Sequence, residues 1–272
     1  MLAFAGANIR AIKEEVMGFL YETHLHTCEA SKCGRVHGED YIPYMMERGY
    51  SGMIVTDHFF NGNTAVPADL SWKERVEIYC SGYERALKAA EGKDFNVMFG
   101  VEFNFNKDEY LLYGVDKKWL LDNEGIMRMT RHELFDAVHK AGGIMIQAHP
   151  FRERDYLSDI KLAPASAVDG IEVYNAANSA NMNALGFEYC TKLDLPMLAG
   201  SDIHYFRDNE LGGMLFDTKI GSIEEFVSAA IARKGIPVSV APNGTVTPVV
   251  QMREQTVSTE LPTLEVLYPE GK

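Results

Sequence analysis

The chain is 272 residues long and carries 39 acidic against 26 basic residues, a formal net charge of −13. That length suits one large domain, or one domain with a small appendage. A composition of 46% hydrophobic and 24% charged residues excludes global disorder. The acidic balance disfavours long nucleic acid and anionic membranes as partners, but not a small phosphorylated ligand.

No apolar stretch is long enough to span a bilayer. The opening MLAFAGANIR has neither a basic start nor a long apolar region, so no signal peptide is expected. Cys28, Cys33, Cys80 and Cys190 form no C-x-x-C pair. Few, unpaired thiols fit a cytoplasmic location.

In chain order, residues 1–17 read as an amphipathic helical extension. Strand-like runs follow near 18–23, 52–56, 95–103, 109–115, 143–148, 168–174, 196–199 and 236–240. Helical patterns occupy 39–48, 72–91, 130–141, 178–193 and 222–234. Thr130 and Ser222 each precede a glutamate three positions on, Glu133 and Glu225, which matches a capping box. Strands alternating with helices imply an α/β domain with a mostly parallel sheet over 18–240. From 241 to 272 helical periodicity is lost, and an extended tail or edge hairpin is expected.

The histidines concentrate just past the apolar runs. They read GFLYETHLH (His24, His26), GMIVTDH (Asp57, His58), GIMIQAHP (His149) and LPMLAGSDIH (Asp202, His204), while FNVMFGVEF ends in Glu102. In an α/β barrel the carboxyl ends of the strands carry the catalytic site. His-x-His puts two imidazoles on one face of a strand, and Asp-x-His repeats that geometry. Imidazole with carboxylate is the donor mix that suits zinc, manganese or iron.

Of the adjacent Asp57 and His58, His58 is favoured as a ligand and Asp57 as the group that orients a ligand histidine. Glu102, a carboxylate in a very apolar run, needs a partner, and a metal bridge fits best. Arg152, in HPFR, is placed to fork onto phosphate oxygens. His132 and His139 sit on a helix at the far end of their strand and read as structural. Glu29, Cys33 and His37 are alternatives for completing a further metal position. The connections 59–71, 116–129 and 152–167 are expected to set specificity, with Tyr156, Tyr174 and Asn175 as substrate contacts.

The motifs HLH (24–26), TDH (56–58), GVEF (100–103), AHPF (148–151) and GSDIH (200–204) fall in one order. Over about residues 18–240 this resembles the PHP (polymerase and histidinol phosphatase) superfamily. The resemblance implies a distorted (β/α)7 TIM-like barrel and a metal-dependent phosphoesterase with two or three divalent ions, zinc, manganese or iron. It implies that His24, His26, Glu102 and Asp202 hold one ion, that Glu102 bridges to a second with His149, and that His58 and His204 serve a further ion. Many members carry a His or Asp five or six residues after the second histidine of HxH. Here that stretch is CEASKCG, with Ser31, Lys32 and Cys33.

The implied reaction is attack of metal-activated hydroxide on a small phosphomonoester, histidinol-phosphate-like or nucleotide-like, with Asp57 and Arg152 as catalytic groups. A phosphodiesterase or exonuclease on short oligonucleotides or nucleotide bisphosphates is an alternative. So are amidohydrolase-like C–N cleavage and a non-catalytic metal protein. The oligomeric state is left open.

Overall fold

The computed structural model describes residues 18–105, 107–153 and 162–253. The helix expected over 1–17, Tyr156 and the end of the C-terminal tail lie outside the described residues. The elements run β1 (Phe19–Leu25), α1 (Tyr41–Glu47), β2 (Gly52–Val55), α2 (Trp72–Ala90), β3 (Asn96–Phe105), β4 (Asp108–Tyr113), α3 (Lys117–Asp122), α4 (Arg131–Lys140) and β5 (Ile144–Gln147). They continue β6 (Gly170–Asn175), α5 (Ala180–Leu193), β7 (Met197–Gly200), β8 (Leu211–Phe216), α6 (Ile223–Ile231), β9 (Ile236–Val240), β10 (Val246–Pro248) and α7 (Val249–Arg253).

One sheet orders the strands β10-β9-β8-β1-β2-β3-β4-β5-β6-β7. The pairs β1–β2, β2–β3, β5–β6 and β6–β7 are parallel. The pairs β1–β8, β3–β4, β4–β5, β8–β9 and β9–β10 are antiparallel. The expectation of a mostly parallel sheet is thus corrected. Strand β4 returns directly from β3, Phe105 opposite Asp108, with Lys107 in the turn at φ 80°. Strand β8, LGGMLF, was not expected, because two adjacent glycines erase its apolar pattern. Strand β10 pairs back onto β9 around a turn in which Ala241 N–H donates to Thr245 O at 2.9 Å.

The sheet curls until β7 lies beside β1. Thr23 Oγ1 donates to Ala199 O at 2.8 Å. Past the strand ends, His26 N–H donates to Ile203 O at 3.0 Å and Ile203 N–H to His24 O at 3.3 Å. Strand β8 also presses against β7 at a glycine seam. A Cβ added at Gly212 would lie 2.2 Å from Gly200 O.

Side chains alternate between two cores, as strand geometry requires. Tyr21, Ile54 and Met98 join one apolar cluster. Their neighbours Leu20, Met53 and Val97 join the other, with Tyr41, Ile42 and Met45 of α1.

Helix starts follow the sequence closely. Thr130 and Glu133 form the reciprocal capping box, and so do Ser71 and Glu74. At α6 the expected box is incomplete. Ser222 Oγ caps Glu225 N–H, but the Glu225 carboxylate turns to Gly221 N–H at 2.6 Å instead. Among the described residues, no helix is long and apolar enough to cross a membrane.

Candidate metal centre

The sequence motifs meet at one end of the curled sheet. His24 is the next-to-last residue of β1, and His26 follows its end. Strand β2 stops at Val55, so Asp57 and His58 lie in the loop beyond it. His58 then bridges in parallel to Glu102 of β3. His149 follows β5, and Asp202 and His204 follow β7.

Strand alternation therefore does not aim the Asp202–His204 pair, contrary to the Asp-x-His reading. The turn aims it: Asp202 has φ 51°, in the left-handed region that aspartate tolerates better than most residues. His149, with φ 27°, is also strained. Such strain persists only where surrounding structure imposes it, and it clusters at functional sites.

Glu102 stands at the middle. Its Oε1 lies 3.1 Å from His24 Nε2 and 3.4 Å from His149 Nε2. Its Oε2 is 3.7 Å from His26 Nε2 and in short contact with His58 Nδ1. Asp202 Oδ1 lies 3.1 Å from His26 Nε2 and 3.6 Å from His24 Nε2. All of these side chains are buried. His24 Nε2, His26 Nε2, His58 Nδ1 and Glu102 Oε2 have no hydrogen-bond partner. Buried polar atoms are ordinarily satisfied, so four such atoms converging on one spot, beside Asp202, fit a cation as their common partner. Donor atoms close enough to share an ion occur in the sets His24/His26/Glu102, His24/His149/Asp202, His26/His58/His204 and His58/Glu102/Glu109.

Outer groups set which ring nitrogen faces inward. Glu172 Oε1 accepts from His24 Nδ1 at 2.9 Å. His204 Nδ1 donates to Asp202 O at 2.9 Å. Ser31 Oγ donates to Asp57 Oδ1 at 2.6 Å, so it accepts from His26 Nδ1 at 3.2 Å and from His58 N–H at 3.0 Å. The other Asp57 contacts are Thr27 N–H at 2.7 Å and Thr27 Oγ1 at 2.6 Å. Asp57, expected among the catalytic groups, therefore sits behind the cluster and reaches His26 only through Ser31. Burial pushes its carboxyl up to about 7, with the Ser31 and Thr27 bonds opposing.

A cavity of about 750 Å³ opens over the cluster, a size suited to a small molecule. Its lining includes His58, Asp202, His204, Cys33, Arg152 and Glu109. Arg152 pairs with Asp202 Oδ2 and donates from Nε to Asn178 Oδ1 at 3.2 Å. Burial would push the Cys33 thiol up, but hydrogen bonds with His204 and His58 bring it down to about 6.

Sequence reasoning missed Glu109 and Glu172. Glu109 approaches His149 Nε2 at 3.5 Å from β4, and its KDEYLLY context looks like a surface turn. Glu172 lies in GIEVYN, an apolar run with one carboxylate, the same signal that singled out Glu102. Tyr174 and Asn175, expected as substrate contacts, are buried and do not line the cavity among the described residues. Asn175 instead donates to Glu172 Oε2 at 3.0 Å. The 116–129 connection carries α3, packed on α2 through Lys117 and Glu84, and contributes nothing to the cavity. Glu29 and His37 turn toward each other at 2.7 Å, and His139 pairs with Asp169.

No protein-family model matches the sequence, and no curated protein matches it. Solved structures do match. One is a two-domain protein from Bacteroides vulgatus containing a predicted PHP-like metal-dependent phosphoesterase, with TM-score 0.62 and 16% identity over 82% of this chain. The chain spans 65% of that structure's length. The chain shares the fold of that structure.

A second neighbour, from Bifidobacterium adolescentis, is a metal-dependent phosphoesterase by prediction. It has TM-score 0.51 and 15% identity, covering 78% of this chain and 96% of its own. PsfC from Pseudomonas syringae has TM-score 0.54 and 18% identity, covering 88% of this chain and 97% of its own.

Proposed function

We propose that the chain is a metal-dependent phosphoesterase that hydrolyses a small phosphomonoester, histidinol-phosphate-like or nucleotide-like. The observation that carries this reading is the convergence of four buried, unpartnered donor atoms beneath a cavity that also presents Asp202 and Arg152. In this reading the curled sheet is a distorted (β/α)7 barrel. Two or three divalent ions, zinc, manganese or iron, are held by His24, His26, His58, Glu102, His149, Asp202 and His204, with Glu109 beside them.

When bound, such ions supply Lewis-acid neutralisation at phosphoryl oxygens and a nucleophile at neutral pH. The chain's own residues do the rest. Arg152, held by Asn178 and Asp202, offers a fork of N–H donors to phosphate oxygens at the cavity wall. Glu172 and the Ser31–Asp57 pair keep His24 and His26 in one orientation. The net charge of −13 argues for a small substrate rather than a long polyanion. The unpaired thiols support a cytoplasmic setting.

The test is phosphate release from p-nitrophenyl phosphate, histidinol phosphate, nucleoside monophosphates and a nucleoside bisphosphate, with manganese or zinc restored, beside Asp202→Ala. Release that vanishes in the variant supports the reading. No release from any ester by the metal-loaded protein overturns it and moves attention to amide substrates.

A further inference from the structure

Three imidazoles of the centre form a set of their own. The donor nitrogens of His26, His58 and His204 lie within 4.8 Å of one another. The His26 ring centroid is 4.3 Å from each of the other two. His26 is fully buried, and its Nε2 has no hydrogen-bond partner. Zinc with three protein nitrogens ordinarily takes a fourth ligand in a tetrahedron.

Cys33 is the thiol that shares their cavity. It lines the same wall region as His58 and His204, on the loop whose Arg35 N–H donates to His204 O. The loop beneath it is tied on every side. Ser31 N–H donates to Thr27 O at 3.1 Å, Lys32 N–H to Asn63 O at 2.9 Å, Gly34 N–H to Ser31 O at 3.1 Å, and Arg35 N–H to His204 O at 2.7 Å. At Gly34 a Cβ would lie 2.3 Å from Thr27 O, so only glycine permits this close approach. The backbone on both sides of Cys33 is therefore held in place, as the support of a preorganised ligand must be. Glu29 and His37, the other groups the sequence offered, are engaged with each other, with Cys28 and with Arg85, and do not line the cavity.

We propose that Cys33 is a thiolate ligand of an ion held by His26, His58 and His204, and that this sulfur makes the position selective for zinc over manganese. The inference rests on the metal-dependent reading above. Its basis is softness: thiolate prefers zinc, whereas manganese favours oxygen donors.

The experiment is cobalt(II) substitution of the metal-stripped full chain, with bound cobalt counted by elemental analysis. Absorption spectra are recorded for the natural protein, Cys33→Ser and Cys28→Ser. The expected result is a sulfur-to-cobalt charge-transfer band in the near ultraviolet, kept in Cys28→Ser and lost in Cys33→Ser. Bound cobalt without such a band, or a band lost in Cys28→Ser and kept in Cys33→Ser, overturns the inference and leaves the metal reading standing. No bound cobalt overturns both.

Zinc X-ray absorption on the natural protein gives the answer without a variant. A sulfur shell at about 2.3 Å supports the proposal, and a shell of nitrogen and oxygen alone overturns it.

Discussion

His24 and Glu172 are locked ring to carboxylate. Nδ1 lies 2.9 Å from Oε1, neither side chain is exposed, and Nε2 is thereby turned toward Glu102 at 3.1 Å. Glu172 also accepts His149 N–H at 2.9 Å, so one carboxylate orients two segments of the centre. Replacing Glu172 with alanine should weaken metal binding about 10–100-fold, the usual size of such an outer-partner loss. Glu172→Gln, which keeps an acceptor oxygen, should lose less. Equal affinities for all three proteins in a zinc competition titration would remove Glu172 from this role.

Metal uptake should release protons. Burial alone would lower the His24 and His58 rings, yet Glu172, Asp202 and Glu102 lift His24, and Glu102 lifts His58, well above the ordinary histidine range. Burial would raise Glu102 and Asp202, but His58 and His24 in the first case, and Arg152 and His24 in the second, hold them well below the carboxylate range. The metal-free cluster thus carries its protons on imidazole, and an arriving cation must displace them. Affinity should therefore keep rising with pH above the ordinary histidine range of about 6.5, until those imidazoles have lost their protons. Calorimetry in two buffers of different ionisation enthalpy should report net proton release that shrinks as pH rises. A release of zero throughout would contradict this charge arrangement.

Arg152→Ala should act mainly on substrate binding, because its guanidinium faces the cavity while the metal donors lie beneath it. A lost charge-assisted contact of about 1.5–3 kcal/mol corresponds to a rise in KM of roughly one to two orders of magnitude. Because Arg152 also pairs with Asp202 Oδ2, the comparison is made at saturating metal, with bound metal counted in both proteins. An unaltered KM on a phosphorylated substrate would exclude Arg152 as the phosphate anchor.

Gly212→Ala tests the seam between β7 and β8. The new Cβ would meet Gly200 O at 2.2 Å, a backbone atom that cannot swing aside. Overpacking of this kind costs about 1–3 kcal/mol. Urea unfolding should show the midpoint falling with an unchanged slope. Natural stability in this variant would mean that the seam is looser than the close approach implies.

Much of the centre was legible because its ligands sit just beyond apolar runs, where a histidine or carboxylate has no packing reason to be. Glu102, His149 and the HLH pair stand out for that reason. Glu109 did not, since acidic residues on both sides hide it, and its role depends on β4 folding back antiparallel onto β3, a long-range fact. Beside His58, Asp57 reads both as a catalytic group and as the partner that orients a ligand histidine. Its place behind the site follows from Ser31 and Thr27, two hydroxyls whose partners no local pattern reveals. The strand period explained His24 and His26, but not Asp202 and His204, which a left-handed turn positions.

Ser201 N–H donates to Glu22 at 2.9 Å across 179 residues of sequence, and the donors His24 and Asp202 flank that contact. One half of the centre is therefore made early in the chain and the other half late. Neither half binds anything until the two ends have found each other. An ion captured there would act as a staple between the two ends, so loading should raise thermal stability by mass action. Any activity at this centre would then report complete folding, because a chain that has not closed its sheet has no centre to work with.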